Sequence, residues 1–389
     1  MRVCFLSVEP VADQPRIRRQ GDALHAAGYE VVAVGAAGAR SPAPAWPVIE
    51  LALDRLTGRE RIVAAARQAS SALGARAARR AYWGDRRRRA VLDAAADAEA
   101  DVYVAREWRT LPIAAALADR TGSGIAVDSP ELSSEENGNS RAWRTVFRPM
   151  VVAIETALLP RARLVTAVSD GIADILMSRY DLDARPTVVR NVPPYERHEV
   201  RTTGEDVEVL YLGGLLPERG LEQVIASVAH WPGRWSLTLR GPGSPAYVEE
   251  LRALAAGTGE RVRFAPVVAL TEMVGVAAAS DVGIFAHQPN GPQADLALPN
   301  KLFEFMMAGL ALCVSGMPSM RDVVEEAGAG VLIEAPYDVA QITSAISALA
   351  ASDLDAYKAA SLAAATELNW ERESERYIAA FAAAFGPPR

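Results

Sequence analysis

The chain has 389 residues, half of them hydrophobic and 23% charged, which is globular composition and excludes a disordered chain. That length calls for two domains, each with its own core. The formal net charge of -7 argues against nucleic acid as a partner, because a duplex binder must neutralise phosphates.

The segment Met1-Arg2-Val3-Cys4-Phe5-Leu6-Ser7-Val8 turns acidic at Glu9 and reads as a first strand, too short in its apolar stretch for a signal peptide. Arg16 to Ala27 reads as a helix stopped by Gly28, and Glu30 to Val34 as the next strand. Asp101 to Ala105, Gly124 to Asp128 and Leu164 to Val168 are further strands, with Leu111 to Arg120 and Ile172 to Arg179 helical between them. This alternation predicts an α/β unit with a parallel sheet. After Asn191-Val192-Pro193-Pro194, the polar stretch Glu196 to Asp206 reads as an interdomain linker.

A second series follows. Its strands are Val207 to Leu212, Trp235 to Arg240, Val262 to Phe264, Val282 to Phe285, Ala311 to Val314 and Gly330 to Ile333. Its helices are Glu218 to His230, Pro245 to Ala256, Leu270 to Ala279, Lys301 to Ala308 and Val339 to Ala351. A last helix, Trp370 to Phe385, follows no new strand. Two doubly wound halves predict a cleft between them, with ligands off the carboxyl ends of the strands. No apolar run reaches the roughly 20 residues of a membrane helix. Cys4 and Cys313 sit in apolar runs and read as small buried hydrophobes, which fits a reducing cytosol.

Two strand-to-helix turns carry charge that suits an anion. Gly213-Gly214-Leu215-Leu216-Pro217-Glu218-Arg219-Gly220 joins close backbone approach to a helix N-terminus and a guanidinium fork; a plain turn with a solvated Arg219 is the equal alternative. In Leu298-Pro299-Asn300-Lys301-Leu302-Phe303-Glu304, Asn300 is a suitable N-cap. That cap would put Lys301 at the first helical position, against the dipole, where a bound diphosphate compensates it. Glu304 then either accepts from sugar or ribose hydroxyls or bonds back to Asn300 as a capping carboxylate.

Taken in order, several segments resemble the retaining family-four glycosyltransferases of GT-B fold, in the branch with a Pro-Asn-Lys-Leu-Phe-Glu motif. They are Asp13-Gln14-Pro15-Arg16-Ile17-Arg18-Arg19, Ala105-Arg106-Glu107-Trp108-Arg109-Thr110-Leu111-Pro112, Asp128-Ser129-Pro130-Glu131-Leu132, Val168-Ser169-Asp170-Gly171-Ile172, Arg190-Asn191-Val192-Pro193, Pro299 to Met306 and Trp370-Glu371-Arg372. The resemblance implies two Rossmann-like domains facing across a cleft, over residues 1–194 and 195–368, with a C-terminal helix, 369–389, crossing back to the first. It implies transfer of a sugar, with retention and without a metal, from a nucleotide-diphosphate donor to a glycan, lipid-linked or small natural-product acceptor. The nucleotide sugar is then a substrate, and no cofactor is expected.

The same resemblance assigns roles. Arg219 and Lys301 hold the donor diphosphate and stabilise the leaving charge. Gly213, Gly214, Arg240, Pro299, Asn300 and Leu302 line the donor, Glu304 takes the ribose, and the backbone at Pro266-Val267 lies beside the base. Arg106, Glu107 and Glu131 face the acceptor, Glu131 as a catalytic group. Departures are the Leu296 position, where the family's first paired Glu falls and Asp295 is the substitute, and Gly214, where an Arg is usual and Arg16 could reach in from the facing domain. Arg106 and Pro130 replace family histidines. A nucleotide-sugar epimerase on the same architecture, or a catalytically silent binding protein, are the alternatives.

The remaining features read more plainly. Asp181-Leu182-Asp183 is a surface turn and not a metal site. Among the scattered histidines only His287 falls in a donor-side loop. The arginine-dense run Arg76 to Arg89 reads first as a solvated helix, and otherwise as peripheral contact with an anionic membrane.

Overall fold

A computed structural model describes residues 1–53, 58–269, 272–289 and 291–388, apart from the side chains of 59–61, 72 and 292. The chain divides into two compact units. The first comprises Met1–Arg190, Gly291–Gln293 and Glu373–Arg389, and the second Asn191–Asn290 and Ala294–Arg372.

The sheet of the first unit has seven parallel strands in the order β3-β2-β1-β4-β5-β6-β7. They are β1 (Arg2–Leu6), β2 (Glu30–Ala36), β3 (Val48–Leu51), β4 (Val102–Arg106), β5 (Gly124–Ser129), β6 (Leu164–Ala167) and β7 (Thr187–Val188). Val3 pairs with Val31 on one side and Val102 on the other. Helices cover both faces of a parallel sheet, so its strands read as unbroken apolar runs. Val3 to Leu6 and Val31 to Val34 are accordingly buried throughout. The edge strands β3 and β7 carry no such run, and nothing in their sequence announced them.

Five helices of this unit matter below: α1 (Pro15–Ala26), α2 (Ala75–Tyr82), α3 (Arg86–Ala96), α4 (Glu107–Thr121) and α5 (Arg148–Leu158). The arginine-dense run is thus split between α2 and α3. Arg88 turns inward, over the Tyr82 ring at 4.1 Å, and donates to the Tyr82 carbonyl. Arg87 pairs with the capping carboxylate of Asp85. The remaining arginines of the run are exposed.

In the second unit six parallel strands run β10-β9-β8-β11-β12-β13, the order of a dinucleotide-binding sheet. They are β8 (Val207–Leu212), β9 (Trp235–Arg240), β10 (Val262–Ala265), β11 (Val282–Phe285), β12 (Ala311–Ser315) and β13 (Gly330–Ile333). Helices α6 (Leu221–Ser227) and α7 (Asn300–Met307) follow β8 and β11. The helix read over Leu270 to Ala279 is observed at Met273–Ala277, and its first two residues lie outside the described ones.

The stretch read as a linker is fastened to this unit. The fully buried ammonium of Lys358 donates to the Arg201 carbonyl at 2.9 Å, to Thr203 Oγ1 at 2.6 Å and to Asp281 at 2.7 Å. A buried ammonium is tolerated only with such a full set of partners. The last helix, α8 (Trp370–Phe385), begins in the second unit and continues in the first from Glu373 onward. There Phe381 meets Tyr29 edge-on at 5.2 Å, and Glu373 accepts from the Arg190 backbone at 2.9 Å.

Candidate functional site

Charged groups gather at the carboxyl ends of β8 and β11 in the second unit. The chain leaves β8 through Gly213, with φ +147°, and leaves β9 through Gly241, with φ +156°. A Cβ on Gly241 would sit 1.7 Å from the Gly213 carbonyl oxygen, so these two turns touch backbone to backbone. A Cβ on Gly213 would lie 3.3 Å from Lys301 Cε, so the glycine is also what admits the lysine stem. Tyr211 Oη fixes the turn by donating to the Gly214 carbonyl at 2.7 Å.

From Tyr211 the rings run outward. Tyr211 stacks on Phe285 and Phe285 on His287, and the Arg219 guanidinium lies 5.5 Å from the Phe285 centroid. Arg219 Nη1 is 3.3 Å from His287 Nδ1. Burial, with the Arg219 charge beside it, holds the His287 pKa down at about 4, so the ring is neutral near pH 7 and accepts from Arg219 through Nδ1. The Arg219 side chain is thus held by a neutral ring and has no acidic ion-pair partner among the described residues. Its helix begins later than the spacing suggested: Pro217–Arg219 form a single tight turn, and α6 starts at Leu221 behind Gly220.

The second turn differs from the expectation in register. Pro299, extended at φ -70° and ψ 141°, is the residue before α7, and Asn300 is already its first helical residue. The proline ring fixes φ and makes Pro299 the hinge into the helix. Asn300 consequently makes no side-chain cap, Lys301 moves to the second position, and Glu304 does not bond back to Asn300. Instead Lys301 Nζ donates to Glu304 Oε2 at 2.6 Å. The charge that opposes the helix dipole is compensated by Glu304 itself. Leu302 is buried and packs in the core of this unit. Arg240 donates to the Pro266 carbonyl at 2.6 Å and braces that segment, leaving Val267 57% exposed beside it.

In the first unit, a pocket of about 190 Å³ opens at the carboxyl ends of β1 and β4, lined among others by Ser7, Glu9, Arg106, Glu107, Arg109 and Glu131. Glu107, where β4 turns into α4, is 3% exposed and has φ +51°, a left-handed backbone that costs a non-glycine residue about 1–3 kcal/mol. Burial raises its pKa to about 7 against the pull of Arg109. Arg109 reaches both Glu107 and, at 2.8 Å, Glu136. Arg106 Nη1 is buried without a hydrogen-bond partner among the described residues. Glu131 is exposed on the loop after β5 and lines the same pocket. Arg109 lay inside a motif whose neighbours drew attention, whereas Glu136 carried no sequence signal.

Arg16 is a correction. Its guanidinium is 3% exposed and wholly engaged within the first unit: Nε and Nη2 clasp Asp128 at 2.7–2.9 Å, and Nη1 donates to the Val189 carbonyl at 2.7 Å. Gln20 and Thr166 also donate to Asp128. Burial pushes the Asp128 pKa up, but the Arg16 charge and these hydrogen bonds outweigh it and hold the carboxyl below its usual range. The arginine ties α1 to β5, and its burial against Asp128 makes it a structural residue of the first unit. Asp181 caps a helix at φ +50°, and no group of three acidic, His or Cys side chains among the described residues is placed to hold a metal ion.

The family model described as glycosyl transferases group 1 matches residues 206–352, all in the second unit but for Gly291–Gln293. Solved structures match across nearly the whole chain. Sucrose-phosphate synthase from Thermosynechococcus elongatus does so at 18% identity and TM-score 0.74, over 98% of this chain and 100% of that one. Anabaena HepE in complex with UDP matches at 15% identity and TM-score 0.69, with the same coverage. WaaG, a glycosyltransferase involved in lipopolysaccharide biosynthesis, matches at 17% identity and TM-score 0.66, over 97% of this chain and 98% of that one. No curated protein matches by sequence. At these identities the likeness is one of fold: two parallel sheets in Rossmann-like domains, as in GT-B glycosyltransferase structures.

Proposed function

We propose that the protein is a glycosyltransferase that draws its sugar from a nucleoside-diphosphate donor held at the carboxyl ends of β8 and β11. The observation that carries this reading is the placement of Lys301 against the Gly213 turn and of Arg219 against His287, inside the segment that matches the group 1 family model. Two fixed cations beside a glycine turn suit a diphosphate whose charge grows as the glycosidic bond breaks. HepE in complex with UDP-glucose, a structure of the same fold, supports a nucleotide sugar as the donor.

In this reading Lys301 and Arg219 stabilise the departing diphosphate, Glu304 turns from Lys301 to the ribose hydroxyls, and the backbone at Pro266-Val267 meets the base. Transfer proceeds with retention and without a metal, a donor phosphate oxygen helping to take the acceptor proton. Glu107 and Glu131 orient the acceptor hydroxyl. The test is a panel of nucleotide sugars incubated with the protein, with released nucleoside diphosphate as the readout and chelator present throughout. Release from one donor, increased by a glycan or lipid-linked acceptor, is expected. Failure of every donor to bind or turn over would sink the proposal.

A further inference from the structure

A larger cavity, about 490 Å³, lies in the helical layer of the first unit between α2, α4 and α5. Its position separates it from the acidic pocket. Glu107 is the first residue of α4, whereas the α4 residues lining this cavity run from Pro112 to Asp119. On α4 the acidic pocket is lined by Glu107, Arg109 and Thr110, so the two cavities share no residue.

The cavity exists because its walls are built from small side chains. Ala115 and Ala116 of α4 and Ala153 and Ala157 of α5 stand where larger apolar residues would close the space, and Trp83 forms a flat side. Its volume falls within the range of small-molecule sites, roughly 300–1,000 Å³. The charge at its edge is one-sided. Arg161 is paired with Asp119, but Arg76 and Arg79, on one face of α2, have no ion-pair partner among the described residues. Unpaired guanidinium forks beside an apolar cavity fit an oxyanion attached to a hydrocarbon. A second groove of about 290 Å³ shares Ala153 and contains Ser71, whose hydroxyl is buried and without a hydrogen-bond partner among the described residues.

We infer that this cavity binds one hydrocarbon chain ending in a phosphate, the chain between α4 and α5 and the phosphate on Arg76 and Arg79. The site does not depend on the donor reading, because it involves no residue of the second unit.

Dodecyl phosphate below its micelle concentration tests it by titration calorimetry, with dodecyl maltoside, inorganic phosphate and phosphatidylglycerol vesicles alongside. One dodecyl phosphate per chain is expected, with both maltoside and inorganic phosphate weaker by at least about tenfold. Arg76→Gln with Arg79→Gln should weaken dodecyl phosphate by about tenfold, and so should filling the cavity with Ala116→Phe or Ala153→Phe. A bromine at the far end of the chain should quench fluorescence in the natural protein but much less in Trp83→Phe. The arginine variants change exposed side chains, so they remain informative if a filled variant misfolds. Equal binding of maltoside and phosphate heads, equal binding to the arginine variants, or binding to vesicles alone would each overturn the inference.

Discussion

The Lys301 ammonium lies 2.6 Å from the Glu304 carboxylate, three residues further along the same helix. A diphosphate that engages Lys301 competes with Glu304 for that ammonium. Lys301→Ala should therefore abolish the rise in melting temperature produced by UDP, a rise worth about 2.7 kcal/mol for a ligand present at about 100 times its Kd. Glu304→Gln separates the two halves of the ligand. It should weaken UDP, which presents ribose hydroxyls, but not pyrophosphate, which has none. An unchanged UDP shift in Lys301→Ala would remove the lysine from the diphosphate site.

Glu107 gives stability a pH dependence. Its folded pKa of about 7 stands above the ordinary 4.5, so between these values the folded chain holds a proton that the unfolded chain has released. Stability from this group is full below the lower value and declines as pH rises through the upper one, by about 3 kcal/mol. Urea unfolding of the first unit's transition, followed from pH 4.5 to 8, should show a shallower decline in Glu107→Gln than in the natural protein. Parallel curves would mean that folding does not raise the Glu107 pKa.

The Arg16–Asp128 pair is structural, which distinguishes it from the donor residues. Arg16→Met strands a buried carboxylate and should cost about 3–5 kcal/mol in chemical denaturation. At a temperature where the variant is folded, its affinity for UDP should match that of the natural protein. A selective loss of UDP affinity with stability intact would reverse the correction.

Gly241→Ala is expected to be among the most damaging single-methyl changes in the chain. The new Cβ meets a carbonyl oxygen at 1.7 Å and the residue has φ +156°, so the β9 turn must move. Melting temperature should fall, and UDP binding at the adjoining Gly213 turn should fall with it. Wild-type values for both would contradict the backbone contact.

The central strands were legible because a parallel sheet buried on both faces leaves apolar runs such as Val3 to Leu6 and Val282 to Phe285. Edge strands β3 and β7 lack that signature. At the donor turn, residue types were readable but their partners were not. A lysine at a helix start called for a counter-charge, and only the structure shows that Glu304 supplies it in place of an Asn300 cap. Arg16 was misread for a related reason: a guanidinium is equally suited to a phosphate and to a carboxylate, and Asp128 is 112 residues away in the chain. Lys358 and its partners were invisible on the same ground, since Asp281 and Thr203 meet it only after folding.

The course of α8 bears on how this chain can be cut and rejoined. A fragment ending at Arg190 would lack Tyr377 and Phe381 and leave Tyr29 uncovered. The tail returns to the start of the chain: Tyr29 Oη donates to the Gly386 carbonyl at 2.9 Å, and a Cβ on Gly386 would come within 3.7 Å of Met1 Cε. Met1 and Gly386 are therefore neighbours. Joining them through a short linker and opening new ends between Arg190 and Asn191 would make each unit continuous in sequence except for the short Gly291–Gln293 insertion. Circular permutation, not truncation, is the route by which the two halves could be studied or exchanged.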